Sequence, residues 1–99
     1  GPWMVTADEI PDPQVLDIST VLNGETLQSA NTKDMIFDVA TVISYVSNMS
    51  ELQPGDVIAS GTPSGVGQSR EPQVFMQPGD VCEIHIENVG TLVNGIAEG

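Results

Sequence analysis

The sequence is poor in positive charge. Lys33 and Arg70 are its only lysine and arginine, against 14 acidic residues, for a net charge of −12. Nucleic acids and anionic membrane surfaces recruit basic patches, so neither is expected as a partner. Aromatic residues are also scarce, four in 99, which leaves the core to Val, Ile, Leu and Met. Cys82 is the single cysteine. No internal disulfide can form, which is consistent with a reducing compartment, and a cytoplasmic location is the expectation. No apolar run approaches the length of a membrane span. No basic start followed by an apolar stretch marks a signal peptide.

What is present reads as one small globular domain. Ninety-nine residues, 39% hydrophobic and 16% charged, are ordinary values for a folded soluble chain and do not suggest disorder. The most informative stretch is residues 52–67. Pro54-Gly55 suits a type II turn, because Pro presets φ and Gly accepts a positive φ. Val57, Ile58 and Ala59 are apolar and predict a short buried strand. Gly61, Gly65 and Gly67 then predict close backbone approach or dihedrals that a Cβ forbids. Thr62 precedes Pro63 and is biased to an extended conformation. A hydroxyl held there among free amides is a candidate anion or substrate clamp. A tight structural loop explains the same residues without chemistry.

Along the rest of the chain, residues 3–6 read as a strand and residues 8–13 as a turn-rich loop. Residues 15–22 alternate as a strand, with Leu16, Ile18, Thr20 and Leu22 on one face. Asn23-Gly24 predicts a type I′ hairpin, since both residues tolerate φ > 0, and residues 25–29 are the returning strand. Asp38 is a candidate helix cap. Val39, Val42, Ile43 and Val46 make one helical stripe, predicting a helix over 38–48 that depends on docking against a sheet. Gln-Pro-Gly-Asp-Val occurs twice, at Gln53 and Gln77, as two similar starts of strands. Residues 68–73 read as an exposed, mobile loop carrying Arg70. Residues 81–87 alternate, with Cys82, Ile84 and Ile86 inward, and residues 91–93 read as a last strand.

The run Pro-Gly-Asp-Val-Ile-x-x-Gly-Thr-Pro-x-Gly-Val-Gly resembles the C-terminal catalytic domain of the fumarylacetoacetate hydrolase family. Further motifs follow the family's order: Gly1-Pro2-Trp3 with Met4 to Ile10; Asn23-Gly24-Glu25 with Gln28 and Asn31-Thr32; Met35-Ile36-Phe37; and Pro78-Gly79-Asp80-Val81 with Glu83, Gly90 and Asn94. The resemblance reads Gly1-Pro2 as native sequence and residues 1–99 as the C-terminal portion of one catalytic domain. It implies an α+β, mainly β fold, a mixed β-sandwich roll with the one helix at 38–48, paired with a second subunit. It also implies a metal-dependent enzyme acting on small 2-oxo or diketo acids, by C–C bond hydrolysis or by related decarboxylation or isomerisation. Mg²⁺ or Ca²⁺ would be its cofactor, with ligands upstream of this chain. Thr62 would bind a substrate carboxylate, with Gly61 forming the adjacent backbone. No catalytic residue is assigned.

Other candidates carry less. Glu83, His85 and Glu87 share a strand face and could in principle bind a metal, but a solvated outer face explains them, and the resemblance places them in the family's final hairpin. Cys82 reads as a core residue, with no flanking cation to activate it. Asp8, Glu9 and Asp12 read as solvated loop acids, and Lys33 does not match the family's catalytic lysine. The competing class is a truncated, non-catalytic binding or dimerisation module with the same fold. An upstream reading frame encoding Glu-x-Glu, Asp and Lys would decide for the enzyme.

Overall fold

The computed structural model describes residues 3–99. Gly1 and Pro2, read from the sequence as native, lie outside them. Four strands form one antiparallel sheet: β1 (Asp17–Leu22), β2 (Glu25–Asn31), β3 (Val81–Ile86) and β4 (Gly90–Gly95), in the order β2-β1-β3-β4. One helix, α1 (Val39–Met49), lies between β2 and β3 in sequence. This is the mainly β architecture with a single helix that the sequence predicts.

The turn chemistry explains the sheet. Asn23 takes φ 50° and Gly24 φ 84°, the two left-handed positions that a tight hairpin with right-handed strand twist needs. The hairpin tip is then tied to the start of β3. Asn23 donates from Nδ2 to Asp80 Oδ1 at 2.8 Å and accepts from the Val81 amide at 2.9 Å. Registers place Ile18 beside Ile86, Thr20 beside Ile84, and Leu22 beside Cys82. Leu16, Leu22 and Cys82 are the buried apolar residues among those described. By register Ile84 and Ile86 share the face of Cys82, but of the three only Cys82 is buried; Ile84 and Ile86 are half-buried, as are Glu83 and His85.

Asp38 caps α1, accepting from the Thr41 amide at 2.7 Å, which offsets one of the unpaired donors of the first turn. The hydrogen bonds from Thr41 hold the Asp38 carboxyl below the ordinary aspartate range. Gln14 joins the helix to the 3₁₀ turn that follows β2, accepting from the Val39 amide at 2.8 Å and donating to the Thr32 carbonyl. Val39, Val42 and Val46 are half-buried, but Ile43 is 46% exposed and no helix residue is buried. The expected docking of the full stripe is therefore not made among the described residues.

Three local expectations are corrected. Residues 3–6 form no strand; Trp3 instead donates from Nε1 to the Val89 carbonyl at 2.6 Å, and a 3₁₀ turn, Ala7–Glu9, follows. Residues 57–59 form neither a strand nor a buried segment: Val57 is 86% exposed. Apolar composition favours a strand only when another strand supplies hydrogen bonds, and no described residue pairs with this segment. Residues 68–73 are not a free loop, because Arg70 ties them to β2.

Candidate functional site

The site begins with an irregularity in the β1–β2 ladder. Thr20 pairs with Gln28, but the next residue, Val21, pairs with Thr26, so Leu27 is an extra residue on β2. A bulge of this kind leaves its residue unpaired and re-aims neighbouring side chains. Both effects are visible. The Leu27 carbonyl accepts from Arg70 Nη2. Leu27 and Gln28, consecutive in sequence, line the same cavity of about 240 Å³, although neighbours in a regular strand face opposite ways.

The loop carrying Thr62 is pinned over this bulge from two sides. Arg70 donates from Nε to the Gly65 carbonyl at 3.0 Å while its Nη2 reaches Leu27. Gly65, at φ 99°, passes so close to the Leu27 carbonyl that a Cβ there would collide with it. On the other side the Gln28 amide nitrogen donates to Thr62 Oγ1 at 2.9 Å and to the Pro63 carbonyl at 2.8 Å. Because a carbonyl can only accept, the nitrogen end of the amide must face Pro63. The oxygen end then faces β1, where Thr20 Oγ1 donates to it at 2.9 Å.

Thr62 is exposed and lines the cavity with Thr20, Gln28, Leu22, Val66 and Met76, among others. Its oxygen accepts from Gln28, so its own proton is available to an incoming acceptor. Gly61 precedes it at φ 105°, with open space where a Cβ would stand. Thr62 and Gly61 are candidates from the sequence, which does not show what holds them. Gln28 and Arg70 lie 34 and 8 positions from Thr62 in the sequence, and a glutamine or arginine carries no local signal of such a contact.

The remaining candidates disperse. Glu83 Oε2 lies 3.3 Å from His85 Nε2, and His85 Nδ1 is 2.9 Å from Thr91 Oγ1. Glu87 turns away and accepts from the Asp17 amide at 3.0 Å. Asp12 accepts from the Gln14 amide at 2.9 Å, Asp8 and Glu9 sit exposed in the first 3₁₀ turn, and Lys33 is in another, Thr32–Asp34. Cys82 is buried and free. Among the described residues no group of three His, Cys, Asp or Glu side chains is arranged to hold a metal ion, so these residues do not fit a metal centre of their own. No helix among them is long and apolar enough to cross a membrane.

A hydroxyl is thus presented from a glycine-rich loop beside a largely apolar cavity, on a mainly β scaffold. The chain belongs to the fumarylacetoacetate hydrolase family: the profile of the fumarylacetoacetate (FAA) hydrolase C-terminal domain matches residues 1–97. The chain is 50% identical to a 2,4-didehydro-3-deoxy-L-rhamnonate hydrolase of Sphingomonas sp. (strain SKA58), covering 99% of this chain and 35% of that protein. It superposes with a TM-score of 0.93 and 45% identity on fumarylacetoacetate hydrolase from Exiguobacterium antarcticum, covering all of this chain and 35% of that one. A third match is maleylpyruvate hydrolase from Sphingobium sp. SYK-6 in complex with manganese(II) and pyruvate, with a TM-score of 0.88 and 40% identity, covering 100% and 35%. The chain thus spans about a third of the length of these relatives.

Proposed function

We propose that this chain is the part of a fumarylacetoacetate hydrolase-family enzyme that forms one wall of a pocket for a small 2-oxo or diketo acid, with Thr62 binding the substrate carboxylate. The observation that carries this is the hydrogen-bond polarity at Thr62. Gln28 occupies a lone pair of its oxygen at 2.9 Å and leaves the O–H to donate. A carboxylate is the acceptor that gains most from such a donor. The net charge of −12 opposes an anionic substrate at long range, so recognition rests on short-range donors of this kind. Gly61, at φ 105°, sets the direction in which the Thr62 side chain leaves the loop.

The reaction is cleavage of a C–C bond by water in an acylpyruvate-like substrate, with decarboxylation or isomerisation as the variants of the same family. A divalent cation, Mg²⁺ or Ca²⁺, belongs to the proposal, held by ligands outside the described residues. The manganese and pyruvate bound to the maleylpyruvate hydrolase relative support both the ion and the substrate class. When bound, such an ion supplies Lewis-acid stabilisation of the oxygen-rich end of the substrate. A second subunit is also proposed. It rests on the family resemblance alone.

The test is turnover by the complete protein, with a divalent ion present, on a panel of acylpyruvates, oxaloacetate and the corresponding methyl esters. Cleavage of free acids with little activity on the esters is expected. Equal activity on acids and esters would contradict carboxylate recognition, and a complete protein inert to the whole panel would favour the non-catalytic module.

A further inference from the structure

The contact between Gln28 and Thr62 joins two elements that share no backbone pairing. Gln28 lies on β2 beside the bulge, and Thr62 lies in a loop whose preceding residues form no strand. The loop is therefore positioned by side chains, of which Gln28 is the one that touches the hydroxyl itself. Its amide is held by three partners of mixed polarity: Thr20 Oγ1 donating to its oxygen at 2.9 Å, and Thr62 Oγ1 and the Pro63 carbonyl accepting from its nitrogen at 2.9 and 2.8 Å. The Pro63 contact settles which end faces the loop, because a carbonyl can only accept. A flipped amide would set its oxygen against the Pro63 carbonyl, and Thr62 would then have to spend its proton on Gln28.

We propose that Gln28 is a positioning residue for substrate binding: oriented by Thr20, it donates to Thr62 and so keeps the Thr62 proton directed to the substrate carboxylate. This rests on the carboxylate-binding reading of Thr62. Gln28 is half-buried, where an unsatisfied amide is costly and a satisfied one is fixed in place. A hydroxyl whose oxygen already accepts a hydrogen bond is also a better donor, because chained hydrogen bonds polarise one another.

The experiment measures competitive inhibition of the complete enzyme by pyruvate and by methyl pyruvate, which lacks the charged carboxylate. Thr62→Val is expected to weaken pyruvate roughly ten- to a hundredfold and the ester little, as for loss of a hydrogen bond to a charged group. Gln28→Met keeps length and volume and is expected to weaken pyruvate about tenfold, with the ester within about twofold. On the Thr62→Val background the same change should add less than about twofold, because the two residues act as one unit. A loop merely loosened by Gln28→Met would lose both inhibitors equally, and that result overturns the proposal. So does a full Gln28→Met effect persisting beside Thr62→Val, or a silent Gln28→Met beside an effective Thr62→Val. Pyruvate binding unchanged by Thr62→Val itself would remove the carboxylate reading and this inference with it. Should Gln28→Met not fold, Thr20→Val releases the oxygen end of the amide while leaving Gln28 in place. It is expected to weaken pyruvate about threefold and spare the ester, and an unchanged ratio of the two inhibitors overturns the proposal.

Discussion

Residues 53–57 and 77–81 have the same sequence, Gln-Pro-Gly-Asp-Val, and fold into the same turn. The Asp amide donates to the Gln carbonyl at 3.1 Å in one and 3.0 Å in the other, and the Asp carboxylate accepts from the Gln amide at 2.8 and 2.7 Å. The glycines take φ 98° and 95°. Past the turn the two diverge. Val81 begins β3, which is paired on both sides by β1 and β4, and Cys82 is buried. Val57 is 86% exposed and Ile58 37%, in no strand. Five identical residues decide the turn, because its hydrogen bonds are local. They do not decide the strand, because a strand's hydrogen bonds belong to its neighbours. The second turn also has a non-local tie, from Asn23 to Asp80 at 2.8 Å, that the first lacks among the described residues.

The largest effect expected from this contrast lies on the partnered side. Leu22→Ala removes a buried side chain from the row it shares with Cys82 and should lower stability by about 2–4 kcal/mol, read by denaturant unfolding of the complete protein. Val57→Ser is the probe of the other side. In the complete protein we expect a loss of about 1–2 kcal/mol, as for a side chain covered by a strand from outside residues 3–99. A change within about 0.5 kcal/mol would mean that the segment stays bare and that the contrast between the two turns is permanent.

A smaller effect belongs to the Asp80 carboxylate of the second turn. Hydrogen bonds from the Gln77 amide, and then from Asn23, hold the Asp80 carboxyl below the ordinary aspartate range. A carboxyl lowered by folding adds stability above that range and loses it as pH falls through its folded value. Asp80→Asn should therefore lower the thermal midpoint at neutral pH, with the gap to the parent closing as the solution is acidified below about pH 4. A gap that is constant with pH would show that the Asp80 charge is not what the turn uses.

Much of this was legible beforehand, for a physical reason. Asn23-Gly24, Asp38 and the two Pro-Gly turns act within a few residues of themselves, so their types and spacing announce them. β3 is legible because apolar Cys82, Ile84 and Ile86 alternate with polar Glu83 and His85, and side chains on a strand alternate between faces. What was not legible is non-local. Val57, Ile58 and Ala59 read as a strand because they are apolar, yet pairing is not in those residues. Arg70 read as part of a mobile loop because its anchors, the Gly65 and Leu27 carbonyls, are backbone atoms without identity in the sequence. The bulge at Leu27 has no marker residue, and Gln28 became visible as the holder of Thr62 only once β2 and the loop were placed side by side. Thr62 is a candidate because of its glycine and proline neighbours and the family motif they form.

The most direct measurement is kcat/KM and thermal midpoint for Thr62→Val in the complete enzyme, acting on a 2-oxo acid. Valine keeps the β-branched shape and the extended preference before Pro63, so packing should hardly change. Loss of a hydrogen bond to a carboxylate costs about 1.5–3 kcal/mol, and kcat/KM should fall roughly ten- to a hundredfold, with the midpoint within a few degrees of the parent. A variant that melts much earlier yet keeps its full kcat/KM would show that the hydroxyl only ties the loop to Gln28 and that Thr62 does not bind substrate.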